Sequence, residues 1–194
     1  MKKVILTTIL VASFCASTAH ASEVFADNSV TSALSGVSSE AAENLRDCLQ
    51  SNTVTASSKA IRACSKAYKA SIPLYDVRSD ILTRRGLLQL SAGRFDKASQ
   101  DFKSAAKLNN ENEFAYLGEG YAALLKNDYV KAAEFFNDCT SHNKAAPLAV
   151  FGLAMVKEMS GDMQGAVKSY EQAANMRPDW EAPRSELARV KSSI

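Results

Sequence analysis

Two cysteines, Cys48 and Cys64, are the residues whose type and spacing first suggest chemistry. They frame the stretch CLQSNTVTASSKAIRAC, in which fifteen mostly polar or alanine residues separate them. Such a pair could bind a metal, exchange as a redox pair, supply a catalytic thiol or form a structural disulfide. Two thiolates without further Cys or His nearby make a poor zinc site, and a catalytic redox pair usually reads C-x-x-C. The choice depends on the compartment and on the elements that carry the two residues.

The N-terminus has the pattern of a secretory signal peptide. MKKVILTTILVASFCASTAHA begins with two lysines, continues with a short apolar run and ends with small residues at positions 19 and 21. We therefore expect cleavage after Ala21 and export to a bacterial periplasm, with secretion as the alternative. The apolar run is shorter than the roughly 20 residues that span a bilayer, so no stable membrane insertion is expected after cleavage. Disulfides form and persist in such a compartment.

Removal of this leader changes the charge balance of the chain. Without Lys2 and Lys3, the 23 basic residues become 21, which equals the 21 acidic residues. A formally neutral chain gives no electrostatic reason to expect nucleic acid or an anionic membrane as a partner.

The middle of the chain repeats itself every 34 residues. Three stretches superpose without a gap, and they share small residues, an aromatic residue and a turn residue at fixed positions. The small residues let two helix backbones approach closely, and the aromatic residue lies on the buried face of the second helix. Gly93, Asn127 and Gly161 stand between the helices, where a left-handed turn can end a helix. The shared positions are Gly86, Gly120 and Ala154 on the first helix, then Ala98, Ala132 and Ala166, then Phe102, Phe136 and Tyr170, and then Ala105, Cys139 and Ala173 on the second.

This pattern resembles the tetratricopeptide repeat family, whose 34-residue unit is a helix-turn-helix. AGRFDKASQDFKSAAKLN and SGDMQGAVKSYEQAANMRPD are close to the family consensus, and the resemblance covers residues 79–180. It implies an all-α, right-handed α-solenoid of antiparallel helical hairpins. A polar helix is expected to cap the open end of such an array. The predicted parts are a signal peptide (1–21), a disordered lead-in (22–37) and a repeat domain (38–194) with units at about 41–74, 79–112, 113–146 and 147–180 and a capping helix at 181–193.

The same register assigns the two cysteines to a weak first unit. Cys48 takes the position that glycine holds in other units, and Cys64 takes the aromatic position. Those positions face each other across a helical hairpin, so we predict a structural disulfide worth about 3 kcal/mol. Four residues, 75–78, are expected to separate this unit from the next.

Cys139 and His142 lie three residues apart and could suggest a thiol with its base. Cys139, however, occupies a repeat position that needs a small buried residue, and cysteine behaves there as a small apolar group. The sequence contains no nucleophile elbow, phosphate-binding glycine loop, H-E-x-x-H or paired carboxylates. We therefore predict no catalytic residue, no metal ligand and no cofactor.

The resemblance implies that the protein binds a protein or peptide partner in a concave groove. The first helix of each unit would line this groove. An apolar and aromatic set at these positions is typical of a binding surface. The same side chains could instead pack between neighbouring helices or lie under the lead-in. We predict a non-enzymatic interaction module of the cell envelope, with two alternatives: a self-associating structural subunit, or a thiol-redox protein using Cys48 and Cys64. The predicted groove residues are Leu87, Phe114, Leu117, Tyr121, Phe151, Met155 and Met159.

Overall fold

The structure is a computed structural model that describes residues 38–51, 57–70, 74–141 and 145–194. The predicted leader, the predicted lead-in and His142 lie outside these ranges. Within them the chain is helical and contains no strand, which confirms the predicted all-α class. The helices of the described residues are α1 (Ser39–Leu49), α2 (Ser58–Lys69), α3 (Tyr75–Ser91), α4 (Phe95–Leu108), α5 (Glu113–Leu125), α6 (Tyr129–Cys139), α7 (Ala146–Ser160), α8 (Met163–Met176) and α9 (Glu181–Lys191).

The chain divides into two compact units, and the boundary lies within α5. The first unit is Met1–Gly118 and the second is Glu119–Ile194. In the first unit, α1 packs against α2, and α3 packs against α1, α2 and α4. In the second unit, α7 packs against α6 and α8, and α8 packs against α9. Consecutive helices therefore form the hairpins that the repeat pattern predicts.

Serine side chains begin both helices of the first hairpin. The hydroxyl of Ser38 accepts a hydrogen bond from the backbone N–H of Ala41, and Ser57 does the same for Ala60. These bonds satisfy amide groups that have no partner inside the helix. Each helix turns one apolar face inward, so the hairpin buries small and aliphatic side chains around its cysteines.

Helix α3 begins four residues earlier than the repeat register predicts. Residues 75–78 were expected to separate two units, and they form the first turn of α3 instead. The turn contains no glycine or proline to stop a helix, and Asp76 places a negative charge near the positive end of the helix dipole. Val77 also packs against the core of the first hairpin. Residues 75–78 therefore belong to α3 and are not a separate segment between two units.

The first helices α3 and α7 bury more of their residues than the second helix α8 does. Helix α3 buries residues from 81 to 83 and from 86 to 90, and α7 buries nine of its fifteen residues. Helix α8 buries only Ala166, Ser169, Tyr170 and Ala173. The turn residues Gly93, Asn127 and Gly161 have φ angles of 70°, 64° and 94°, the left-handed conformation predicted for them.

Two phenylalanine rings are each held between two glycines. In the first unit, a Cβ on Gly86 or on Gly118 would lie 2.6 or 2.5 Å from the ring of Phe102. In the second unit, a Cβ on Gly120 or on Gly152 would lie 2.6 Å from the ring of Phe136. The repeat pattern identified Gly86 and Gly120, which share a hairpin with the ring. It did not identify Gly118, which approaches Phe102 from the next helix along the chain, or Gly152, which approaches Phe136 in the same way.

Arg189 links the predicted capping helix, α9, to α7. Arg189 donates two hydrogen bonds, of 2.7 and 2.8 Å, to the carboxylate of Glu158 on α7 and one of 2.7 Å to Glu186. Tyr170 on α8 also donates to Glu158, at 2.9 Å. Burial, together with the charge of Glu158, raises the pKa of Tyr170 above its usual range. One guanidinium thus pairs with two largely buried carboxylates, which would be costly to leave unpaired.

Candidate functional site

The predicted groove residues are mostly buried. Five of the seven have side chains that are between 0% and 2% exposed, and only two, Phe114 in the first unit and Met159 in the second, remain partly exposed. The alternative that the sequence left open, packing inside the protein, therefore describes most of the set. A role of all seven in direct partner contact stays a prediction. The five buried residues are Leu87, Leu117, Tyr121, Phe151 and Met155.

Two of the predicted groove residues have packing roles in the second unit. The Tyr121 hydroxyl donates a 3.0 Å hydrogen bond to the backbone carbonyl of Leu148, and its ring meets Phe136 edge-on at 4.9 Å. Burial raises the pKa of Tyr121, so this hydroxyl stays protonated. Phe151 lies 5.4 Å from the ring of Tyr170 and 4.9 Å from that of Trp180. Truncating either side chain would remove core contacts, so neither tests binding by itself.

A buried polar network in the first unit was not predicted from the sequence. The side-chain amide of Asn112 donates to Ser79 at 2.8 Å and to Thr83 at 3.1 Å, and its oxygen accepts from the backbone N–H of Ala115. Ser79 in turn donates to the carbonyl of Ala105 at 2.9 Å. The network joins α3, α4 and the start of α5. The available sequence signal was an asparagine just before a predicted helix, which is typical of an N-cap.

Asp80 lies at the edge of this network and titrates near neutrality. Its carboxylate is 3.5 Å from the amide of Asn112. Burial and then the negative charge of Asp76 raise its pKa from 3.8 to about 7. A carboxyl group in this state changes charge over a pH range in which exposed carboxylates do not.

The stability of the protein is therefore expected to fall as pH rises from about 4 to about 8. Because the folded-state pKa of Asp80 is raised, its contribution is complete below the unfolded pKa of 3.8 and is lost as pH passes about 7. The rise in pKa from 3.8 to about 7 corresponds to about 4 kcal/mol. Because Asp80 is partly exposed, we expect half of this, a loss of about 2 kcal/mol.

Urea unfolding at several pH values, for the natural chain and for Asp80→Asn, measures this contribution. The Asp80→Asn variant should lose this pH dependence of the free energy of unfolding. The Asp96→Asn variant, changed at an exposed position on α4, should keep it. An unchanged pH profile in Asp80→Asn would show that Asp80 does not titrate in this range.

The structure joins the two cysteines of the first hairpin. Cys48 and Cys64 form a disulfide with their Cα atoms 4.6 Å apart, and both residues are 0% exposed. A redox-active disulfide needs one sulfur that a partner thiol can reach. Full burial therefore favours the structural interpretation over the thiol-redox alternative. Cys139 is buried and outside the disulfide.

Metal and membrane features were searched over the same described residues. There, no group of three or more His, Cys, Asp or Glu side chains is placed to hold a metal ion. No helix in these parts of the chain combines the length and the apolar character needed to cross a membrane.

At the sequence level, part of the chain matches known proteins. A family model described as Tetratricopeptide repeat matches residues 83–139. Over 99 residues, 50% of this chain, the sequence is 28% identical to Superkiller complex protein 3 from Mus musculus, and the match covers 6% of that relative. The Homo sapiens protein of the same name is 26% identical over 97 residues and is also covered to 6%. The chain therefore spans only a small part of these relatives.

Solved structures match more of the chain. MamA (residues 41 to the end) from Desulfovibrio magneticus RS-1 has a TM-score of 0.61 and 15% identity, over 81% of this chain and 86% of that one. Another MamA structure has a TM-score of 0.54 and 21% identity, over 69% and 71% of the two chains. Identities this low show a common fold.

Proposed function

Because this chain belongs to the tetratricopeptide repeat family, we propose that it is a non-enzymatic interaction module that binds a protein segment in the groove of its repeats. Proteins of this family generally bind protein partners and are generally not enzymes. The segment would be an extended peptide or a helix. The leader-like N-terminus and the buried disulfide support a place in the cell envelope, most simply the periplasm.

The two apolar groove residues that stay partly exposed carry this proposal. Leucine, phenylalanine, tyrosine and methionine recur at the positions where first helices of the family face a ligand, and the part of each unit that the structure describes buries most of them. Phe114 and Met159 are the partly exposed members, one in each unit. We propose that these two side chains make the first contacts with a partner. A few side chains contribute most of the binding energy of a typical interface.

Site-specific photo-crosslinking tests this function. A benzoylphenylalanine in place of Phe114, and separately in place of Met159, is expected to trap a defined partner protein in intact cells. The same probe in place of Val130 on α6, which is 74% exposed, is the matched control and should trap little. Circular dichroism of each variant checks that the helices remain.

The identity of the trapped species separates the alternatives. A discrete partner at positions 114 and 159 supports the adaptor function, whereas a second copy of this chain supports the self-associating structural subunit. Equal labelling at positions 114, 130 and 159 would contradict binding through the groove. Mass spectrometry of cross-linked envelopes would identify the partner.

A further inference from the structure

Arg78, in the first turn of α3, carries a buried polar atom that the proposed function does not use. Its guanidinium carbon lies 4.6 Å above the ring of Tyr68, a cation–π stack between the first turn of α3 and the end of α2. Its Nε atom is buried and has no hydrogen-bond partner within the described ranges. A buried donor without a partner lowers the stability of the folded protein. Such groups are rare in folded proteins unless a missing partner supplies the bond.

A neighbouring arginine shows what a satisfied guanidinium looks like in the same unit. Arg85 lies 5.8 Å from the same Tyr68 ring. It donates two hydrogen bonds, of 2.8 and 2.6 Å, to both carboxylate oxygens of Asp101 and a third, of 3.2 Å, to Ser65. Arg85 thus has a carboxylate within the protein, and Arg78 has none among the described residues.

The surroundings of Arg78 indicate which chemistry would supply the missing partner. Residues 57–70 and 74–85 contain seven arginines and lysines and only two aspartates. Two of the lysines already pair with acidic residues of α1. A planar guanidinium fixed by stacking matches the two oxygens of a carboxylate, and the local excess of positive charge favours an anionic group.

An exposed apolar surface adjoins the arginine. Tyr75, which is 67% exposed, lies three residues before Arg78 and therefore on the same face of α3. Leu74 beside it is 44% exposed. Asp76, two residues before Arg78, projects from another side of the helix. A ligand that reaches Arg78 would therefore meet an aromatic ring as well.

We propose that Arg78 and Tyr75 form a docking point for a carboxylate that stands next to an apolar side chain in a protein partner. Arg78 receives the carboxylate, and Tyr75 with Leu74 packs against the neighbouring apolar group. The stack on Tyr68 holds the guanidinium in place before binding, which reduces the side-chain entropy lost on binding. These residues are separate from the groove positions of the proposed function.

An NMR titration of the arginine side chains tests the docking point with a defined probe. N-acetyl-L-phenylalanine carries a carboxylate beside an aromatic group, and N-acetyl-L-phenylalaninamide is the same molecule without the charge. On the chain from residue 22 onwards, the carboxylate probe should shift the Nε–H resonance of Arg78 saturably, and the amide should not. Equal shifts from both probes, or equal shifts of all exposed arginines, would overturn the proposal.

Variants assign the effect to the two residues. Arg78→Gln should weaken binding of the carboxylate probe at least about tenfold, because a charge-assisted hydrogen bond is worth about 1.5–3 kcal/mol. Arg78→Lys should recover part of the affinity, and Tyr75→Ser should weaken it. Arg62→Gln on the exposed face of α2 is the matched control and should change nothing.

Two further outcomes complete the test. Undiminished binding by Arg78→Gln would contradict the proposal, as would a larger response of Arg78 to phosphatidylglycerol vesicles than to the probe. If the probe at position 114 traps no partner while the carboxylate probe still shifts the Arg78 resonance, the groove function is contradicted and this docking point is supported.

Discussion

Gly152→Val is expected to lower the free energy of unfolding by about 3 kcal/mol. A Cβ at this position would lie 2.6 Å from the ring of Phe136, and a Cβ on Gly120 would lie equally near that ring, so the ring is closely packed against both helices and has little room to move. Valine also adds a branched side chain that is stiff in a helix. Thermal and urea unfolding would measure the loss. Gly161→Ala is the control, because nothing lies within 4 Å of that position and only its φ of 94° opposes the change, at about 1 kcal/mol.

A double-mutant cycle identifies the ring as the cause. Gly152→Ala should cost less than valine, since the better helix propensity of alanine offsets about 1 kcal/mol of the clash. Combined with Phe136→Leu, which shortens the side chain, Gly152→Ala should become neutral or stabilising. Strict additivity of the two substitutions would show that the ring is not what excludes a side chain at position 152.

Replacing both Cys48 and Cys64 with alanine should destabilise the first hairpin by about 3 kcal/mol. The disulfide closes a loop over a sequence separation of 16 residues between two short helices, and without it the unfolded hairpin gains conformational freedom. Hydrogen exchange should show the loss of protection first in α1 and α2. Calorimetry would report the change for the whole chain.

The same disulfide should resist reduction while the protein is folded. Both sulfurs are inaccessible because both cysteines are 0% exposed, so dithiothreitol should reduce them rapidly only in denaturant. Cys139→Ala, which leaves the disulfide intact, should behave like the natural chain in this assay. Rapid reduction under native conditions would favour the thiol-redox alternative instead.

Much of the fold could be predicted because it depends on local patterns. The 34-residue period predicted helical hairpins in the region that α3 to α8 occupy, and the cysteines of the first hairpin followed from the same register. The first turn of α3 was missed because a register assigns residues to units and does not say where helical hydrogen bonds stop. Residues 75–78 carry no breaker, so the helix simply continues towards its N-terminus.

The candidate site could be predicted less well, because burial depends on distant parts of the chain. Tyr121 and Phe151 have residue types and positions suited to a groove, yet one bonds to Leu148 and the other packs against Trp180. Asn112 and Arg78 gave little signal, since their roles come from three-dimensional neighbours. No periodic pattern reports which polar atom is left without a partner.

The amino-acid sequence alone was sufficient for the helical repeats, their turns and the choice of disulfide partners. Each of these follows from helix periodicity and from small or turn-forming residues at fixed spacing, which are properties of a short stretch of chain. Tertiary structure decided which apolar residues lie in the core. It also brings a phenylalanine ring too close to Gly118 and to Gly152 for a side chain to fit, and it pairs Arg189 of α9 with Glu158 of α7. Those outcomes depend on the distance between helices and on the desolvation of their side chains, which only the packed chain determines.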